Sequence, residues 1–357
     1  ERRGARGPAA LRDPERSNGR EELGGDQAQV RDVFALGIYK YKRKAAREAC
    51  FVHDDLHRTV GPAAQLAGRV ELVDSGLHLD PAAAALRRLE ASDLAATWPV
   101  PASHDHKYSR GVVGVLAGSD TYPGAAVLTA TGAARAGAGM VRYLGPRLAS
   151  SHVLAARPEV VTAPGRVQSW VIGPGTSEDD AARVRRTLDE ALSSELPVVV
   201  DAGGLAVVGE RRTPLPPSVV LTPHAGELAA LLGARGTSVE RAGVQAEPLR
   251  WARAAHEAFG ATVLLKGAVT VVVGPGGAFA QSEATPWLAT AGAGDVLAGV
   301  LGALLAGRSE DLEGEVDLAA QLAAVAASVC GRAARLASAG GPLLAQDVAE
   351  AVPRVVA

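Results

Sequence analysis

The sequence predicts an α/β fold, a mostly parallel central sheet with helices on both faces. Three observations predict it. Short apolar runs of Val, Ile and Leu alternate with helical stretches of about ten or more residues, the rhythm of strands joined by crossover helices. The runs are continuous rather than alternating, as strands covered on both faces require. Clusters of glycine, proline and polar residues fall just after the strands, where open parallel sheets bind their ligands.

Length and composition set the frame. The chain has 357 residues, enough for one large domain of roughly 250–300 residues plus an extension. Hydrophobic residues make up 47% and aromatics only 4%, so the core is built mainly from Ala, Val and Leu. A formal net charge of −2 gives no general case for nucleic acid or an anionic membrane as partner. Two cysteines, Cys50 and Cys330, make no disulfide framework, and the expected compartment is a reducing cytoplasm. No apolar run reaches the length of about 18 residues that a membrane span needs.

Taken in order, residues 1–30 are rich in Arg, Glu, Gly and Asp and read as a disordered tail. A short mixed segment covers residues 34–41, and the basic stretch 40–47 reads as a solvated helix face. Residues 70–74 alternate like a strand, residues 81–89 read as helical, and Trp98-Pro99-Val100-Pro101 reads as a linker. The expected boundary lies there: an extension over 1–100 and the main domain over 101–357. In the main domain, strands are expected at 112–116, 141–144, 171–172, 198–200, 219–221, 262–265 and 270–273. Helices are expected at 125–138, 179–192, 244–259, 316–336 and 344–352, with a short one after Glu227 that ends at Leu232 and another beginning near residue 295.

The stretch Ala289-Thr290-Ala291-Gly292-Ala293-Gly294-Asp295 organises the chemistry. Small residues lead to a single acid, and an apolar helix pattern follows at Leu297, Val300, Leu301, Leu304 and Leu305. A helix start offers free N–H groups and partial positive charge, and glycine lets a phosphate approach them. Asp295 then stands in the first turn beside the anion. A second negative charge belongs there only if it acts on the group being transferred. Gly118-Ser119-Asp120, Gly173-Pro174-Gly175, Asp201, His224 and Lys266-Gly267 follow other strands and are expected to face the same crevice.

An ordered set of motifs carries a resemblance: Lys107-Tyr108-Ser109-Arg110-Gly111, Gly118-Ser119, Tyr122-Pro123-Gly124-Ala125-Ala126, Gly173-Pro174-Gly175, Asp201-Ala202, Leu221-Thr222-Pro223-His224-Ala225-Gly226-Glu227, Leu265-Lys266-Gly267 and Ala293-Gly294-Asp295. Over residues 107–352 the chain resembles the ADP-dependent NAD(P)H-hydrate dehydratases of the ribokinase-like superfamily. The resemblance implies a ribokinase-like fold and nicotinamide-nucleotide repair. The S epimer of hydrated NADH or NADPH (NADHX or NADPHX) is dehydrated at the expense of ADP, with AMP and phosphate as products. Phosphorylation turns a poor leaving group, hydroxide, into a good one.

Residue by residue, the resemblance implies Asp295 as the general base at the substrate hydroxyl. Gly292, Ala293 and Gly294 would offer backbone N–H groups to developing negative charge. Lys266, Gly267, Ala268, Val269 and Thr270 match the nucleotide-binding segment. Ala126, Gly175 and His224, with Asp295, match positions that hold the hydrated dinucleotide. Glu227 is the candidate holder of a magnesium ion between phosphates, with helix capping as the other reading of that acid. The chain departs from the family pattern at Ala225, where proline is usual, at Thr176, where leucine is usual, and at Thr285-Pro286-Trp287-Leu288.

Residues 34–40 and 67–77 resemble the last pieces of the epimerase domain that precedes the dehydratase in many relatives. About 90 residues are too few for that domain's sheet, so no epimerase activity is expected. The resemblance implies no nucleic-acid or membrane partner, and a homo-oligomer is expected. Two other readings use the same site: a ribokinase-like kinase of a vitamin-precursor alcohol, and a non-catalytic nucleotide-binding protein.

Overall fold

The computed structural model describes residues 38–42, 48–51, 69–73, 84 and 86–357. The tail reading of residues 1–30 therefore lies outside the described residues, as does most of the basic stretch 40–47. Strands β1 (Ile38–Lys42), β2 (Glu48–Phe51) and β3 (Arg69–Val73) form an antiparallel sheet in the order β2-β1-β3.

The main sheet has eight strands: β4 (Val112–Leu116), β5 (Met140–Tyr143), β6 (Ser169–Ile172), β7 (Val198–Val200), β8 (Val219–Leu221), β9 (Thr262–Leu265), β10 (Thr270–Gly274) and β11 (Gly277–Gln281). Their order is β11-β10-β9-β8-β7-β6-β4-β5. The six strands β4 to β9 run parallel, while β9, β10 and β11 pair antiparallel. The central strands β4, β7 and β8 are buried at every position, which is why they read as unbroken apolar runs.

Helices cover both faces. One face carries α2 (Pro123–Arg135), α3 (Arg147–Ala156), α9 (Ala293–Gly307), α10 (Leu318–Ser338) and α11 (Ala345–Val356), sharing one core with Val113, Val171 and Leu264. The other carries α4 (Ala181–Ser193), α5 (Gly203–Glu210), α6 (Ala225–Ala234), α7 (Arg241–Ala246) and α8 (Pro248–Phe259), around Ile172, Leu221 and Val263. A short helix, α1 (Ala91–Thr97), precedes the sheet.

Some elements differ from the sequence reading. The helix expected over 244–259 is two helices broken before Pro248. Glu247 there has φ −129° and ψ 60°, outside the helical region, as the residue before a proline prefers. Residues 86–89 are not helical. Arg87 instead bridges β11, its N–H donating to Ala278 O at 2.8 Å and its carbonyl accepting from Ala280 N–H at 2.9 Å. Leu94 of α1 is buried in the core of the main domain, and Arg308 Nη1 donates to Thr97 O at 3.1 Å. The segment from Arg87 to Thr97 thus packs with the domain that follows Pro101.

Two glycines fix the helix that matters most. A Cβ on Gly299 of α9 would stand 2.1 Å from Thr129 O of α2, and one on Gly132 of α2 would stand 2.5 Å from Val296 O of α9. The two helices meet backbone to backbone, which only glycine permits. That contact sets where the first turn of α9 lies against the sheet.

Candidate active site

The polar loops gather at one edge of the sheet. Gly118, Gly173, Asp201, His224 and Lys266 each follow the carboxyl end of a parallel strand. β11 runs antiparallel to β10 and so parallel to β9, ending at that edge with Gln281. The chain returns from β5 to pair β6 beside β4, so the sheet's switch point lies between the Gly118 and Gly173 loops. Those loops are tied together by Gly118 N–H donating to Pro174 O at 2.7 Å.

α9 begins at this edge. Its N-cap, Gly292, has φ +86°, a left-handed conformation that suits glycine. The helix start brings Gly294 close to Lys266: a Cβ on Gly294 would lie 3.3 Å from Lys266 Nζ and 3.7 Å from Asp201 Oδ2. Asp295 is the acid of the first turn. Burial, then the charge of Asp201, push its carboxyl up to about 7, against an opposing pull from Lys266. That value suits a general base working near neutral pH.

Lys266 is the cation of the site. Its Nζ donates to Asp201 Oδ1 at 2.6 Å and stands 4.0 Å from Glu227 Oε2. Burial works against its charge, but Asp201, Glu227 and Asp295 outweigh burial and raise its pKa. Asp201 is only 2% exposed, and Lys266 is the charged partner that its carboxylate meets. Ala202, the next residue, is held at φ 44° and ψ −120°, a strained position for a residue with a Cβ.

His224 caps α6. Its Nδ1 accepts from the Glu227 backbone N–H at 3.0 Å, and the His224 backbone N–H donates to Glu227 Oε2 at 2.7 Å. An accepting Nδ1 leaves the proton of the neutral ring on Nε2, free to donate. Glu227 is therefore a capping carboxylate and a neighbour of Lys266 at once. Among the described residues no three His, Cys, Asp or Glu side chains gather into a metal cage.

A cavity of about 900 Å³ opens at this edge, bordered by α9 and α10 from one face and by α7 and the start of α8 from the other. His224, Lys266, Thr270, Gln281, Gly294 and Cys330 are among its walls. Of the residues singled out by sequence, Gly267, Ala268, Val269 and Ala293 line it too. Asp295, Gly292, Glu227, Ala126 and Gly175 do not. Ala126 is fully buried, its Cβ beneath Gly118, while a Cβ on Gly175 would meet Ala125 Cβ at 2.4 Å. Ala126 and Gly175 thus belong to the loop cluster at the switch point. The sequence reading placed Asp201 on the crevice without a partner, and the ion pair with Lys266 is what the structure adds. It gave no role to Gln281, which ends a short strand of small residues and carries no motif.

The fold and this edge define a class: a ribokinase-like α/β protein that presents a helix N-terminus and a lysine to one cavity, with Asp201 and Asp295 beside that lysine. A family model described as NAD(P)H-hydrate dehydratase matches residues 113–354, and the chain belongs to that family. A Mycobacterium tuberculosis protein named bifunctional NAD(P)H-hydrate repair enzyme Nnr is 48% identical over 273 residues, covering 71% of this chain and 54% of the relative. The chain spans about half the length of this and similar bifunctional relatives. A Xanthomonas campestris ADP-dependent (S)-NAD(P)H-hydrate dehydratase is 34% identical over 226 residues, covering 57% of this chain and 75% of the relative. In structure, the chain is similar to the Bacillus subtilis ADP/ATP-dependent NAD(P)H-hydrate dehydratase co-crystallised with ATP and Mg2+. That match has a TM-score of 0.64 and 26% identity, and covers 76% of this chain and 97% of the other.

Proposed function

We propose that this chain dehydrates the S epimer of NAD(P)H-hydrate to NAD(P)H, using ADP and releasing AMP and phosphate. The observation that carries the proposal is Asp295, a carboxyl tuned to about 7 in the first turn of α9, set among Lys266, Asp201 and the Gly294 backbone. Family membership supplies the substrate class.

In this reading ADP occupies the cavity with its terminal phosphate between Lys266 and the N-terminus of α9. Asp295 takes the hydroxyl proton as the substrate oxygen bonds to the β-phosphorus and the bond from that phosphorus to the bridging oxygen breaks, releasing AMP. The ring nitrogen's lone pair then expels phosphate, and the carbon–carbon double bond returns with loss of the adjacent proton. Lys266 and the amides of Ala293 and Gly294 stabilise charge on the transferring group. His224 Nε2–H, and the loops carrying Gly175 and Ala126, hold the dinucleotide.

Magnesium needs only one or two carboxylates together with substrate phosphates, so the absence of a three-ligand cage among the described residues suits it. Glu227, 4.0 Å from Lys266, is the residue that would hold it. When bound, the ion neutralises phosphate charge.

Residues 101–357 carry the reaction in this proposal, and residues 34–40 and 67–77 belong to an epimerase-like segment ahead of them. Homo-oligomeric assembly and cytoplasmic residence belong to it as well. Among the described residues no helix is long and apolar enough to cross a membrane. The test is an assay of the purified chain with the S hydrate, comparing ADP and ATP. Recovery of reduced-nicotinamide absorbance with stoichiometric AMP is expected. A stable phosphorylated alcohol, or ADP binding without turnover, overturns the reading.

A further inference from the structure

The far end of the cavity holds a side chain with nothing to bond. Gln281 is 3% exposed, lines the cavity, and neither Nε2 nor Oε1 has a hydrogen-bond partner. Burying an amide unpaired is costly, and such groups in native proteins call for a specific reason. Two residues on, Glu283 Oε2 is also buried without a partner and lines the same cavity.

Sheet register says how far this pair lies from the phosphate end. His224 bridges Lys266, Leu265 pairs with Val271 so that Lys266 stands level with Thr270, and Thr270 pairs with Gln281. Four cavity residues thus form one row across adjacent strands. Gln281 stands two inter-strand spacings from Lys266, roughly 10 Å. A nucleoside diphosphate held at Lys266 and lying along this row brings its base to Gln281. The walls there suit a flat ring: Ala327 and Cys330 of α10 line the cavity, and burial pushes the Cys330 thiol up to about 12, so it stays neutral.

We propose that Gln281 is the base-reading residue of this site, its amide donating to a ring nitrogen of adenine and accepting from the exocyclic amine. Glu283 Oε2, which can only accept when ionised, takes the amine's second hydrogen and disfavours a carbonyl at that position. The inference rests on the ADP-dependent reading and names the part of the cosubstrate that the cavity selects.

The test is a cycle of variant against analogue, read by calorimetry on the full chain with ADP, its 6-desamino analogue and 2′-deoxy-ADP. Wild type should bind ADP about tenfold tighter than the desamino analogue, the scale of one or two hydrogen bonds. Gln281→Leu, similar in volume, should lose most of that preference and keep only the part that the Glu283 contact supplies. It should also melt no lower than wild type without ligand, because it removes two unpaired buried groups. A variant that keeps the wild-type preference overturns the assignment. So does a wild type indifferent to the 6-amino group, a result that needs no variant to fold. So does discrimination that follows the 2′-hydroxyl instead. ADP binding without hydrate turnover sinks the dehydratase reading, while the cycle still decides the base contact. No ADP binding at all sinks both.

Discussion

The ammonium of Lys266 stands 2.6 Å from Oδ1 of Asp201, although the two residues are 65 positions apart in the chain. Asp201 is 2% exposed, so the pair must be judged by what its breaking leaves behind. Lys266→Met strands a buried carboxylate and should lower stability by about 3–5 kcal/mol in urea unfolding. Adding Asp201→Leu should recover most of that loss without restoring ADP affinity. Equal stability of wild type and Lys266→Met would refute the account. Because the lysine's pKa is raised, its contribution is complete below the ordinary value of 10.5 and is lost only as pH climbs beyond it.

Asp295→Asn should cut kcat by about 10²–10⁴-fold. ADP affinity should stay within a few-fold, since the backbone amides remain. In wild type, the acid limb of kcat/KM should rise through about pH 7 as the carboxyl loses its proton. A profile flat across that range would remove Asp295 from the role of base.

The same group makes a separate prediction about stability. An acid whose folded pKa lies above its unfolded value of 3.8 holds its proton in the native state where the unfolded chain has lost it. Stability therefore falls as pH rises between those two values. Asp295→Asn removes the buried charge, so its melting midpoint should exceed that of wild type by several degrees at pH 8, and by clearly less at pH 5. An equal gain at both values would show that charge is not the cause.

Much of the fold was legible because burial on both sheet faces forces continuous Val and Leu runs, as at Val198–Val200 and Val219–Leu221. The helix start at Gly292 to Asp295 was legible because small residues lead to one acid and an apolar helical pattern follows. Strand β11 was missed: Gly277–Gln281 has only Phe279 as a large apolar residue, and its pairing with β10 comes through register. The extended path at Arg87 was missed for a related reason. Alanine-rich sequence favours helix, and a neighbouring strand edge overrode that preference. The Lys266–Asp201 pair could not be read at all, because it depends on β7 and β9 lying on either side of β8.

Gly299→Ala should show how the base is positioned. Its methyl would stand 2.1 Å from Thr129 O, a backbone atom that cannot swing aside. A cost of about 1–3 kcal/mol is expected. Turnover should fall more than ADP affinity, because Lys266 and its loop are anchored on β9 and not on α9. Loss of both in equal measure would argue against helix placement as the cause.

Ala202 holds φ 44° and ψ −120°, a conformation in which a Cβ is strained. Ala202→Gly should relieve more strain than it adds in chain entropy, a net gain of about 1 kcal/mol. Thermal melts check the sign. A loss would mean that the backbone at Asp201 is relaxed as it stands.

The backbone-to-backbone seam between Gly132 and Gly299 has a mechanical corollary. Where Gly132 and Gly299 cross, no side chain separates the two rods as a compliant layer, so neither can slide there without dragging the other. Asp295 on one rod and Ala126 on its neighbour must then travel as one piece. Any widening of the cavity then falls to borders outside that seam, such as the stretch from Glu283 to Thr290.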